Sequence, residues 1–436
     1  MKKGNSLLRI AIGVSLFGLV SVAGMAFGAK DSGNIKNPEM VKEVMAGKLT
    51  TANAAWWGFD ETDATDALQS AINSGAKKVI VPNMGKDWIV RPIKLVSNQE
   101  IEFQKGVVVT AKKGEFKGGN DCLFRADNLK NITLTGSGAI LRMQKDDYMK
   151  SPYQKAEWRM VLEFSSCDTI KILGLTLKDS GGDGIYLGVA NKEKPYCSNV
   201  LIKDVVCDNN YRQGISVISA KNMTIENCTF KNTWGTAPEA GIDLEPNFYN
   251  EALSNCLIKN CVFENNKGAG IAFWLSPLSR KSDPLSVKFE NCRITSEKGG
   301  GIFVGGIKED GPLGLIEFNG CKVENTASYG AQFYGKAADR ALIRLRDCSW
   351  KNVALSSNDA PIQIALNKRG ETEKQGGVDF VNCRVEDTKN RPTIAATGRD
   401  TGYTVKNLAG TITVKNPNGA KMDLGPITEE ITLKMK

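Results

Sequence analysis

One short motif recurs along the chain: "MTIENCTF", "CLIKNCVF", "VKFENCRI", "IEFNGCKV", "IRLRDCSW" and "VDFVNCRV". Each copy alternates apolar and polar residues and carries a cysteine at one shared position, Cys228, Cys261, Cys292, Cys321, Cys348 and Cys383. Leu175 and Val205 hold that position in two earlier copies, so it calls for a buried apolar group rather than a reactive thiol. The preceding residue is Asn227, Asn260, Asn291, Gly320, Asp347 or Asn382. These residue types suit a turn with side-chain hydrogen bonding or a positive φ. Further on, most copies read Gly-apolar-x-apolar: "DGIYLG", "QGISVI", "AGIDLE", "AGIAFW" and "GGIFVG". Successive copies of the shared position lie 23 to 35 residues apart.

Period-two alternation marks strands, and no amphipathic helix fits between them, which excludes helical solenoids. A single copy cannot bury its own apolar face, but stacked copies can. The expected fold is all-β: a parallel β-helix with each coil about 4.8 Å above the last. Before the coils, "DETDATDALQSAINSGAKKVIVPNMGKDWIV" places Ala67, Leu68, Ala71 and Ile72 at helical spacing. A short N-terminal capping helix is expected there, covering the open end of the solenoid. The chain divides into residues 1–28, a secretory signal; 29–89, the capping helix and first strand; 90–397, the solenoid; and 398–436, closing strands.

The signal expectation rests on Lys2, Lys3 and Arg9, then an apolar run from Ile10, then small residues at Ala26, Gly28 and Ala29. Export to the periplasm, cell surface or medium follows. The 11 cysteines do not then read as a disulfide framework, because six share one repeat position. The formal charge is +9, which suits an anionic partner, but no basic run interleaved with aromatics points to nucleic acid. Histidine is absent. Triads, Cys-His dyads and His-ligated zinc are therefore excluded, and acid-base work falls to Asp, Glu, Lys, Arg, Tyr or Cys.

The helix-Gly-"VIVP" opening, the Asn turns and the "GDGI" coil resemble the right-handed parallel β-helix, or pectin-lyase-like, superfamily over most of the mature chain. The resemblance implies a carbohydrate-active protein, since members mostly act on polysaccharides as lyases, glycosidases or epimerases. Phage tailspikes and adhesins share the fold, so fold alone does not set function. "GGDG" (Gly181 to Gly184) resembles the Asp-Gly of polygalacturonase-type glycosidases. The next coil departs from them, with "RQGIS" in place of a paired Asp and no histidine anywhere. The epimerase-type Asp-Pro-His-Asp signature is also missing; "LEPN" keeps only acid-Pro.

Aligning the Gly-apolar-x-apolar segments, with "RMVLEF" as an earlier member, stacks Glu163, Tyr186, Ser216, Asp243, Ala272 and Phe303 in one outward column. The next column takes in Gly188, Ile218, Glu245 and Trp274. Arg159, Arg212 and Glu239 fall at the turn before the strand, with Asp183 and Gln213 one step on. Acids and arginines gather in the first four of these coils, and aromatics follow. That pattern reads as a localised polar cleft with an aromatic wall, suited to a sugar. The expected catalytic residues are Asp183, Asp243 and Glu245. Arg159, Glu163, Tyr186, Arg212, Gln213, Glu239 and Trp274 are expected to bind substrate.

Two strand residues separate Asp243 from Glu245 by about 6.5 to 7 Å between Cα atoms, a spacing that suits an inverting glycosidase. The leading expectation is a secreted glycoside hydrolase acting on an acidic or sulfated glycan. The alternatives are a uronate lyase, with Arg159, Arg212, Lys267 or Tyr186 at the proton-abstraction site, and a non-catalytic carbohydrate-binding or adhesive protein. No cofactor or metal is called for; Asp146 and Asp147 are the weak candidates for Ca²⁺.

Overall fold

The structure is a computed structural model that describes residues 36–398 and 402–436. The expected secretory signal lies outside the described residues. Among the described residues, no helix is long and apolar enough to cross a membrane.

The Cys-motif strands stack in parallel from coil to coil. Leu253–Lys259 lies between Ala220–Glu226 on one side and Leu285–Glu290 on the other. The short strand after each turn does the same, with Val262–Glu264 between Thr229–Lys231 and Arg293–Ser296. Together these form a sheet of 23 strands. The Gly-apolar-x-apolar segments build a separate sheet of 12 strands running from Ile93–Lys94 to Met422–Asp423. The chain is thus an all-β parallel solenoid, as the repeat implies.

Local chemistry explains each repeat position. The residue before the shared cysteine is left-handed in every copy of the motif: Asn227 φ 55°, Asn260 54°, Asn291 51°, Gly320 64°, Asp347 51° and Asn382 55°. This φ bends the chain from one strand to the next, and Asn, Asp and Gly bear it at least cost. The glycine that opens each Gly-apolar-x-apolar segment answers a different need. A Cβ on Gly241 would lie 2.7 Å from the carbonyl oxygen of Gly270 on the next coil. Only glycine lets the stacked backbones approach that closely.

Inward residues stack like on like. Phe230 and Phe263 lie 5.4 Å apart with rings 14° from parallel, and Phe289 and Phe318 5.2 Å apart at 18°. All 11 cysteines are free and buried. The Sγ atoms of the ladder donate to backbone carbonyls, as Cys383 does to Leu345 at 3.2 Å. The column therefore packs as small apolar groups.

Helix Thr65–Asn73 buries Ala67, Leu68, Ala71 and Ile72 against the core, which is the expected cap. Elements not foreseen precede it. Helix Pro38–Met45 is capped by Asn37, whose side chain accepts from the Met40 amide at 3.1 Å. Strand Thr51–Asn53 pairs with Lys78–Val81, so the sheet begins before the capping helix. At the far end Thr404–Lys415 stacks on Lys374–Glu386 and carries Thr428–Ile431 and Lys434–Met435 in turn.

Candidate active site

The 12-stranded sheet sets the site. Its register pairs Glu163 with Tyr186, Tyr186 with Ser216, Ser216 with Asp243, Asp243 with Ala272, and Ala272 with Phe303. The outward column drawn from the sequence is therefore the register of the folded sheet. It continues through Gln332, Gln363 and Ala395.

Asp243 and Glu245 face a cavity of about 280 Å³, lined also by Pro238, Ala272, Trp274, Phe303 and Arg369. Asp243 is 2% exposed and accepts a hydrogen bond from Gln213 Nε2 at 2.9 Å. Gln213 is itself buried, and its Oε1 accepts from the Ala240 amide at 2.8 Å. Its orientation is thereby set so that its amide donates to Asp243. Burial, and after it the charge of Glu245, push Asp243 well above the ordinary carboxylate value, with Arg212 opposing. Burial and the neighbouring Glu245 thus bias Asp243 toward its protonated form.

Arg212 binds this cluster together. Its Nη2 donates to Glu245 Oε2 at 2.8 Å, its Nη1 lies 3.9 Å from Asp183 Oδ2, and Nη1 reaches Ser216 Oγ at 3.5 Å. Burial alone would lower the Arg212 pKa, but Asp183 and Glu245 outweigh it and hold the guanidinium charged. Asp183 is fully buried, and neither carboxylate oxygen makes a well-formed hydrogen bond, Ser216 and the Gln213 backbone amide offering only weak support. Burial raises it to about 7, with Arg212 as the main opposing influence. One guanidinium thus serves three acids, two of them biased toward the protonated form.

An aromatic wall faces the acids. Trp274 and Phe303 stack at 6.4 Å with planes 12° apart, and Tyr334 lies 6.2 Å from Trp274 and 6.0 Å from Phe303. Arg369 lies over the Trp274 ring at 5.1 Å. Half-buried aromatic faces beside polar groups are what a pyranose ring stacks on.

The matching family model, described as a right handed beta helix region, covers residues 161–352. The chain is a right-handed parallel β-helix. No curated protein sequence matches this β-helix at a significant level. Among solved structures, it is similar to the family 28 exopolygalacturonase of Yersinia enterocolitica, at 13% identity and TM-score 0.61, over 89% of this chain and 78% of that one. The mannuronan C-5 epimerase A-module of Azotobacter vinelandii superposes at 12% identity and TM-score 0.61, over 88% of this chain and 100% of that one. The surface protein and adhesin PfbA of Streptococcus pneumoniae does so at 14% identity and TM-score 0.52, over 88% and 99%. At these identities the likeness concerns fold alone, and fold does not set function.

The expected site residues divide in space. Asp243, Glu245, Arg212, Gln213 and Trp274 come together around the cavity. Asp183 joins them only through Arg212, buried beneath the guanidinium rather than open to the cleft. Tyr186 stands one rung before Ser216, half-buried, and its hydroxyl pKa is raised by burial and by Asp183 and Glu163. Glu163 is engaged by Arg125 Nε at 3.0 Å and by the Cys122 thiol at 2.8 Å. Glu239 accepts from the Gly235 amide at 2.8 Å and pairs with Lys267 at 2.9 Å, so it braces its own loop.

Arg159 does not reach the cleft. It is fully buried, donating to the carbonyls of Phe116 at 2.8 Å and Gln154 at 2.6 Å, with Tyr148 and Tyr153 packed on the guanidinium at 5.1 and 5.9 Å. It anchors the irregular loop before its coil. Asp146 and Asp147 sit in the short helix Lys145–Tyr148, where Asp147 pairs with Lys113 at 3.3 Å. Asp243 and Glu245 lie on one face two residues apart, each held by its own partner from the preceding coil, Gln213 and Arg212.

Sequence reasoning missed Tyr334, Pro238 and Arg369. Tyr334 was findable by extending the Trp274 column two rungs through Gly305. Arg369 was not, because it arrives on a loop from a coil distant in sequence.

Proposed function

We propose that this β-helix is an exported polysaccharide-active enzyme, a glycoside hydrolase whose proton chemistry lies at Asp243 and Glu245. The observation that carries this reading is a buried carboxyl held by Gln213 beside an Arg-paired carboxylate, both opening on a cavity with an aromatic wall. Burial and the nearby charge of Glu245 both favour the protonated form of Asp243, which suits it to proton donation. A sugar seated against Trp274 brings its glycosidic oxygen to Asp243, which acts as the general acid. Glu245, held by Arg212, accepts the proton of the attacking water. Gln213 orients Asp243, and Arg212 orients Glu245. Asp183 acts through Arg212 as a positioning residue.

The substrate class this reading favours is an acidic or sulfated glycan, since the chain carries a net charge of +9. The exopolygalacturonase and epimerase likenesses support a glycan substrate at the level of fold. The test incubates the protein with neutral, uronic and sulfated polysaccharides while following reducing ends and ultraviolet absorbance. New reducing ends without ultraviolet absorbance are expected, with Asp243→Asn and Glu245→Gln each slower by at least about a hundredfold. Unsaturated products would replace hydrolysis by elimination. Full activity in both variants would remove these residues from the chemistry.

A further inference from the structure

The cavity contains a second guanidinium whose surroundings differ from those of Arg212. Arg369 sits in the turn Lys368–Gly370, which follows the rung Ile362–Ala365. The backbone of that turn is tied down from several directions. Asn367 Oδ1 accepts from the Arg369 amide at 3.0 Å, and Gln375 Nε2 donates to the carbonyls of Asn367 at 2.6 Å and Thr372 at 3.0 Å. The Glu309 amide donates to the Gly370 carbonyl at 3.0 Å, and Lys308 pairs with Glu371 at 2.9 Å. Arg369 itself has no carboxylate partner among the described residues. Its guanidinium lies 5.1 Å over the face of Trp274 and lines the same cavity as Asp243 and Glu245.

Arg369 is exposed, whereas Arg212 is half-buried. Arg212 is saturated by Glu245 and Asp183, whereas Arg369 is held at the cavity by an anchored loop and an aromatic face with its charge unanswered. Stacking on an indole occupies the flat face of the guanidinium and leaves its N–H edge for a ligand. The partners that fit such an edge bidentately are planar or tetrahedral oxyanions. Position matters as well. Trp274 stands on the rung after Glu245, in the column of outward residues that follows the Asp243 column. An anion held by the N–H edge of Arg369 is therefore carried by a sugar lying beside Trp274, against the edge of the indole. It is kept off the carboxyl pair, where it would be repelled.

We propose that Arg369 is a specificity-determining residue: with Trp274 it forms a subsite for a sugar bearing an anionic substituent, carboxylate or sulfate, next to the acid pair. The proposal rests on the cavity being the glycan site, and it deepens that reading by naming the group that selects the substrate.

Isothermal titration calorimetry with three probes tests it: a galacturonate oligosaccharide, a heparin-derived sulfated oligosaccharide and a neutral glucan oligosaccharide of equal length. Wild type, Arg369→Gln and Arg369→Lys are compared, each also in the Glu245→Gln background. Binding of one or both anionic probes is expected, weakened about tenfold or more in Arg369→Gln, with part of it restored in Arg369→Lys. Which anionic probe responds identifies carboxylate or sulfate. Anionic binding unchanged in Arg369→Gln overturns the proposal, as does binding of the neutral probe alone or of none. Anion binding that depends on Arg369 with no hydrolysis of any glycan would refute the hydrolase reading and leave this subsite standing. Hydrolysis of a neutral glycan unaffected by Arg369→Gln would do the reverse.

Discussion

Asp183 offers a test of the site's electrostatics that needs no substrate. Its carboxyl is fully buried, neither oxygen makes a well-formed hydrogen bond, and burial raises it from the ordinary 3.8 to about 7. A carboxyl with a raised folded-state pKa binds its proton more tightly in the native protein than in the unfolded chain. Stability from this group is therefore greatest below pH 3.8 and declines as pH rises through the window between 3.8 and about 7. At about 1.36 kcal/mol per pKa unit, ionising Asp183 costs the fold about 4 kcal/mol between pH 4 and pH 8. Asparagine keeps the shape and cannot ionise.

The Asp183→Asn variant should therefore gain stability relative to wild type as pH rises. Unfolding entropy near 2.1 cal/mol/K per residue, over a chain of this length, converts about 4 kcal/mol to roughly 5 °C. The assay is differential scanning calorimetry of both proteins at pH 4 and pH 8, reading the difference in Tm. Asp243 titrates in the same direction in both proteins, so its contribution largely cancels in that difference. A difference that stays constant with pH would mean that Asp183 is not held out of water against Arg212, and the electrostatic account of the site would fail with it.

Two further outcomes follow from the same structure. Arg212→Met removes the one cation shared by Asp183, Asp243 and Glu245, and should cost about 3–5 kcal/mol at pH 8 by urea denaturation. The loss should shrink at pH 5, below the raised value of Asp183; a pH-independent loss would contradict the shared-charge reading. Asn291→Ala places a Cβ-bearing residue without a compensating amide at φ 51° and should cost about 1–2 kcal/mol, whereas Asn291→Gly should be close to neutral. Equal melting temperatures for the two variants would show that the turn tolerates a different backbone path.

Local chemistry determined the architecture. Alternation, the cysteine position and the Asn-or-Gly turn are short-range features, and stacking identical units repeats the same pairing at every rung. Even the outward column from Glu163 to Phe303 followed from aligning the strands, because register in a solenoid is inherited from coil to coil. The cap helix was legible from Ala67, Leu68, Ala71 and Ile72, whereas the strand Thr51–Asn53 ahead of it was too short to declare itself. What a side chain does once its column is known was a matter for the tertiary structure. Arg159 and Arg212 hold matching turn positions, yet one is buried under an irregular loop and the other reaches Asp183 and Glu245. Asp243 and Glu245 were placed on one face by their spacing, but the groups that hold them, Gln213 and Arg212, come from the neighbouring coil. Arg369 enters the cavity from more than 90 residues beyond Trp274, on a loop whose length no repeat constrains. The periodic part of the molecule is written locally. The site is assembled from departures from that period, and only the folded chain brings them together.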